Sequence, residues 1–111
     1  MIPRYRAWFG SKMYDKPVVY DGEFYLDWRD FENGKTHNGA ILMQSTGLFD
    51  KNGKEIFEGD VVRMHSGELL PVKLHHGMFE PVCYYISNAF ERVGSVFENP
   101  ELLEHPDFRE G

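Results

Sequence analysis

The run Leu42-Met43-Gln44-Ser45-Thr46-Gly47-Leu48-Phe49-Asp50-Lys51-Asn52-Gly53-Lys54-Glu55-Ile56-Phe57-Glu58-Gly59-Asp60-Val61-Val62 decides the fold class. Its centre, Asp50 to Glu55, is the strongest turn signal in the chain, because Asn and Gly sit together between two apolar runs. Before it, Ala40 to Thr46 reads as a strand. After it, Ile56-Phe57 is a brief strand that closes at Glu58-Gly59-Asp60. Val61 to His65 is the next strand, stopped by Ser66-Gly67. Apolar runs this short, separated by turns, predict antiparallel β structure.

The same rhythm continues outward in both directions. Pro3 to Phe9 alternates charged and large residues, as a half-buried strand does, and Gly10-Ser11-Lys12 reads as a turn. Pro17 to Tyr20 is β-prone and ends at Asp21-Gly22. Glu23 to Trp28 follows, with Phe24, Leu26 and Trp28 on one face. Residues 32–39 hold two Asn-Gly pairs and read as a loop. Toward the C-terminus, Leu69 to His75 pairs with the strand before it. Pro71 has no N–H, which predicts an edge position or a kink. Gly77 gives a turn, Pro81 to Ser87 is β-rich, and Val93 to Phe97 is a last short strand. Only the end reads as helix: Asn99 as N-cap, Pro100 at the first position, and a stop at Pro106 after about two turns. Seven or eight short strands predict a mainly β fold. The expected architecture is a small barrel or packed antiparallel sheets, with a short C-terminal helix.

At 111 residues the chain is expected to form one domain over 1–111, with a core that needs no metal or disulfide. No apolar run is long enough to span a bilayer as a helix, and one Cys cannot close an internal disulfide. The absence of a leader-like start makes a reducing cytosol the expected compartment. The 12 Lys+Arg stand against 18 Asp+Glu, a net charge of −6. Residues 91–111 carry most of that excess, and residues 1–20 are mildly basic. No window has the basic stripe typical of nucleic-acid binders.

Candidate chemistry is sparse. His37, His65, His75, His76, His105 and Cys83 show no metal-ligand spacing, and continuous strand geometry would point His75 and His76 to opposite faces. No metal or cofactor is expected. Cys83 lies in an apolar run, where a thiol behaves as a small hydrophobe. Glu55, Glu58 and Asp60 flank turns, where carboxylates are ordinary. Aromatic residues make up 15% of the chain, enough to supply a core, an oligomer interface or a stacking surface.

The opening stretch closely resembles the central signature of the YopX family of phage and prophage proteins. Tyr5-Arg6-Ala7-Trp8 is similar to that family's opening, and Val93 to Leu103 to its close. Phe9, Ser45 and Ser95 depart from the residues usual in the family, which are an Asp, an aromatic and an Asn. The resemblance implies a small, mainly β, oligomeric protein carried by tailed phages or prophages, with no established reaction. The family signature falls on Thr46, Gly47, Leu48, Asp50, Asn52, Gly53, Glu58, Gly59, Asp60, Asn99 and Pro100. Their turn-forming types read as structural.

The expected function is therefore non-enzymatic. An accessory protein of this kind would bind a host or phage protein in the host bacterial cytoplasm, a component of bacterial defence being one candidate. The alternative is a nucleic-acid or nucleotide binding module. Arg4, Arg6, Trp8, Trp28, Arg29 and Arg63 are the candidate binding surface. A homo-oligomer is expected, and a membrane partner is not.

Overall fold

The computed structural model describes residues 3–110. The fold is mainly β, built from short antiparallel strands. It contains one α-helix and three short 3-10 helices among the described residues. The chain divides into two compact units, Met1–Gln44 and Ser45–Gly111.

In the first unit, β1 (Tyr5–Phe9) pairs on one side with β2 (Lys12–Tyr14). Its other side pairs with the first half of β5 (Ile41–Phe49), in the register Tyr5↔Gln44 to Trp8↔Ile41. A separate hairpin joins β3 (Val18–Tyr20) to β4 (Glu23–Tyr25) through Asp21-Gly22. Both turn residues have positive φ, 52° and 78°, as the tight turn between right-twisting strands demands. Sequence reasoning extends β4 to Trp28, but a helix, α1 (Trp28–Glu32), replaces its end. Asp27 caps α1, its Oδ1 accepting the Asp30 N–H at 2.8 Å. The helix turns Trp28 outward, to 61% exposure, whereas Leu26 stays buried.

The second unit holds the main core. Ile56, Val62, Met64, Val72, Val82 and Phe90 form one buried cluster. Here β6 (Glu55–Phe57) pairs with the second half of β5 across the Asp50–Lys54 turn. Thr46-Gly47-Leu48 does not end the strand, as its turn-like composition suggests. It forms a bulge inside β5, between the pairs Ser45↔Phe57 and Phe49↔Glu55. Gly47, at φ +76°, supplies the left-handed residue that the bulge needs. Next, β7 (Asp60–Met64) is the centre of a three-stranded sheet, flanked by β8 (Leu69–Pro71) and β11 (Phe90–Ser95).

Pro71 does end an edge strand. Val72 breaks out to bond Asp60 and Gly59, and the chain restarts as β9 (Lys73–His75), which turns at His76-Gly77 into β10 (Met78–Glu80). The outer edge of β8 is covered by the C-terminal segment. Leu69 donates to the Asp107 carbonyl and accepts from the Arg109 N–H, both at 2.9 Å.

Two expectations need correction in this unit. Pro81 to Ser87 is not a strand. It folds into 3-10 turns at Val82–Tyr84 and Ser87–Ala89, because Pro81 cannot donate to a ladder and its carbonyl accepts from Tyr84 instead. The C-terminal helix is a 3-10 turn, Pro100–Glu104, rather than two α-turns. Pro100 opens it, but the Asn99 side chain makes no capping bond.

Candidate functional site

The signature residues come together around β11. Arg92 lies at their centre: its N–H donates to Asp50 Oδ2 at 2.8 Å, its Nε reaches Asp60 Oδ1 at 3.0 Å, and Nη2 reaches Glu98 at 3.3 Å. Asp50 is buried, and its Oδ1 also accepts from the N–H groups of Asn52 and Lys54. Burial works against its charge, but the backbone donors of Arg92, Lys54 and Asn52, helped by the Lys54 charge, hold its carboxyl below the usual 3.8. Asp60 is fully buried and also accepts the Phe57 N–H. Asn99 accepts the Ser95 N–H through Oδ1, packed so closely over Gly94 that any Cβ there would collide with it.

The rest of the signature is half-buried or exposed and makes mostly local contacts. Thr46 donates to the Ile56 carbonyl at 2.7 Å and accepts the Leu48 N–H, and Leu48 packs against the core. Gly53 and Gly59 hold positive φ in their turns, and Gly59 bonds Val72 and Val96 through its backbone. Asn52 reaches Glu91, Glu58 is half-buried, and Pro100 is exposed. These groups organise turns and register.

The candidate binding surface divides. Arg6 is buried in β1, as is its neighbour Ala7 on the opposite face, and so is not presented to a partner. Arg4 is exposed beside a shallow cleft of about 500 Å³ with Lys16, and Trp8 is half-buried. Trp28 and Arg29 are exposed on α1. Around them Phe31 meets the rings of Trp28, Tyr25 and Tyr20 at 5.2, 5.3 and 5.6 Å. The loop after α1 is tied back by His37, whose Nε2 lies 2.8 Å from Asp30. Arg63 belongs to the second unit, where its guanidinium is engaged by the Gly67 carbonyl and Asp107.

Sequence reasoning missed a cleft of about 650 Å³ in the second unit. Leu70, Pro71, Leu74, Pro81 and Tyr84 give it an apolar lining, with charged residues from β9, β10 and the C-terminal segment at its rim. Glu80 bridges two lining residues, accepting the Tyr84 hydroxyl at 2.6 Å and lying 3.4 Å from His75 Nδ1. The Glu80 hydrogen bond is the main reason that the Tyr84 phenol is pushed up to about 12. Large side chains stay exposed along this part of the chain: Leu74, Met78, Tyr84, Tyr85 and Ile86 are 43–74% accessible. The readable signal was the turn at His76-Gly77 followed by Tyr84-Tyr85-Ile86, an apolar run with no alternation left once the strand is broken at Pro81.

His75 and His76 do come together, with ring centroids 4.0 Å apart, because β9 ends at His75 and His76 turns into the left-handed region at φ +51°. Among the described residues, no group of three or more His, Cys, Asp or Glu side chains is placed to hold a metal ion. Cys83 is half-buried in a 3-10 turn rather than in a strand. No helix among the described residues is long and apolar enough to cross a membrane.

A family model described as YopX protein matches residues 4–104. The crystal structure of protein EF1440 from Enterococcus faecalis is similar, with a TM-score of 0.67 and 26% identity. That match covers 93% of this chain and 99% of the other. The X-ray structure of protein yopX from Bacillus subtilis has the same fold, with a TM-score of 0.52 and 22% identity, covering 90% and 97% of the two chains. No curated protein matches.

Proposed function

We propose that this chain, which belongs to the YopX family, works by binding another protein and catalyses no reaction itself. The observation that carries this reading is the set of exposed apolar side chains between Leu74 and Ile86, of which Leu74 and Tyr84 line the second-unit cleft. Clustered exposed apolar surface with a charged rim is what protein interfaces present. On this reading the protein is an accessory factor of a phage or prophage, acting in the cytoplasm of the bacterial host. Its partner is a host or phage protein, and inhibition of a defence component is one role that fits. The short strands, many with open edges, also suit self-association into a homo-oligomer. Affinity capture with the intact chain from host lysate, followed by reconstitution with the purified partner, tests the reading. A stoichiometric complex is the expected result, and recovery of nothing above background counts against it. Light scattering tests self-association, with a species larger than 13.0 kDa expected at micromolar concentration.

A second reading rests on the first unit. Trp28 and Tyr20 stand 61% and 63% exposed around Phe31, beside Arg29, and that unit carries six Lys/Arg against six Asp/Glu. Exposed rings next to an arginine, without the acidity of the whole chain, are what base stacking requires. Fluorescence anisotropy with single-stranded oligonucleotides at low salt decides it: salt-sensitive binding is expected, and a flat titration rejects it.

A further inference from the structure

The second-unit cleft lies beside an open strand edge. The two-residue turn His76-Gly77 makes His75 and Met78 the closing, hydrogen-bonded pair of the β9–β10 hairpin. Antiparallel alternation then leaves Leu74 opposite Phe79 as a non-hydrogen-bonded pair, with the Leu74 N–H and C=O directed away from β10. Among the described residues neither group has a partner. Three successive residues of β9, Lys73, Leu74 and His75, border the cleft, although successive side chains in a strand point to opposite faces. The cleft therefore reaches the side of β9 as well as the face that Lys73 and His75 share with Glu80.

The neighbouring strand shows what such an edge accepts. β8 already receives an extended segment: residues 107–109 pair with Leu69 through two backbone hydrogen bonds. The C-terminal segment thus covers one edge and, through Arg109 and Glu110, forms a wall of the cleft at the next. The charges favour one sign of occupant. The second unit holds six Lys/Arg against twelve Asp/Glu. At the rim, Arg109 and Lys73 donate to backbone carbonyls, of Pro106 and Phe108 and of Glu110. The carboxylates of Glu68 and Glu110 form no ion pair among the described residues, which leaves them able to receive a cation.

The geometry points to this cleft as a docking site for an extended, cationic peptide segment of a partner protein. The segment adds as a strand beside Leu74, places one apolar side chain between Leu70, Pro71 and Tyr84, and directs Lys or Arg side chains to the rim. Backbone pairing supplies affinity, the apolar pocket supplies register, and the acidic unit steers a basic segment in. This inference rests on the protein-binding reading and names the chemistry of the partner.

The test titrates the intact chain with three short peptides, read by amide chemical shifts. They are an alternating arginine–leucine peptide, its glutamate–leucine counterpart, and the arginine–leucine peptide N-methylated at alternate residues. The arginine peptide is expected to bind, to shift residues 70–75 and 80–84, and to weaken as salt rises. N-methylation is expected to cost about tenfold or more, since it removes backbone hydrogen bonds worth roughly 1 kcal/mol each. Tyr84→Ala, at an exposed position, is expected to weaken binding by about fivefold or more. Equal binding of the glutamate peptide, indifference to N-methylation, or shifts confined to residues 3–44 overturns the inference. If no peptide binds but a purified captured partner does, the strand-addition inference fails and the protein-binding reading stands. If neither binds, both fail.

Discussion

The two units of this small chain solve different problems. Ser45–Gly111 contains the whole buried apolar cluster, with two buried carboxylates and the chain's entire net charge of −6. Met1–Gln44 is electrically balanced and buries only Arg6, Ala7, Leu26 and Met43 among its described residues. Its aromatic residues stand half-buried or exposed instead. Aromatic content was therefore no guide to the core: of all the described aromatic residues only Phe90 is fully buried, and it lies in the second unit. The signature's polar residues are spent on internal order, and the surfaces able to meet a partner lie elsewhere.

That contrast can be broken most directly at Asp60. Asp60→Ala takes the buried carboxylate away from the Phe57 N–H and from Nε of the Arg92 guanidinium, which keeps only its Glu98 contact among the described residues. A loss of about 3–5 kcal/mol is expected in urea denaturation, and a loss below about 1 kcal/mol would deny the carboxylate its structural role. Asp50→Asn comes next, at about 1.5–3 kcal/mol near neutral pH, because its carboxylate accepts three backbone N–H groups.

The same residue gives a pH test. Its folded pKa lies below the unfolded 3.8, so its contribution is present above that value and is lost as pH falls through the folded pKa. Stability of the natural chain should therefore decline below pH 3.8, and the Asn variant should decline less steeply there. Parallel acid limbs for the two proteins would contradict this. Gly94→Ala forces a methyl group against Asn99 and Leu102 and should cost about 1–3 kcal/mol, read as a fall in melting temperature.

The smallest effect sharpens the comparison from the other side. Trp28→Ala removes one of the two largest side chains in the molecule, yet it should change stability by under about 1 kcal/mol, because the ring is 61% exposed. A loss as large as that at Asp60 would show the aromatic face to be structural rather than free for binding. In the cleft, Glu80→Gln should bring the Tyr84 phenol down from about 12 toward 10, followed by its ring carbon shifts in alkaline titration. No change would mean that the Glu80 bond is not what raises it.

Legibility followed the range of the interactions. The Asp21-Gly22 and Asn52-Gly53 turns and the edge position of Pro71 were readable because each depends on one or two residues' own φ or missing N–H. Helix α1 was missed because its five residues show no period, and the Asp27 cap was its only local mark. The 3-10 turns at Val82–Tyr84 and Ser87–Ala89 were missed because their residues are β-prone, and the break at Pro81 outweighed that propensity. The candidate cleft was not legible, since its lining comes from β8, β9, β10 and the C-terminal segment.

The sequence by itself determined the mainly β class, most turns and the family, because turn chemistry and short apolar runs are local and the signature is contiguous from Leu42 to Val62. Tertiary structure alone decided the uses of these residues. It placed Asp50, Asp60 and Glu98 on Arg92, laid residues 107–109 along β8, and left the Leu74 edge open. Those outcomes depend on which distant segments compete for the same backbone and charged groups, and residue spacing carries no information about that competition.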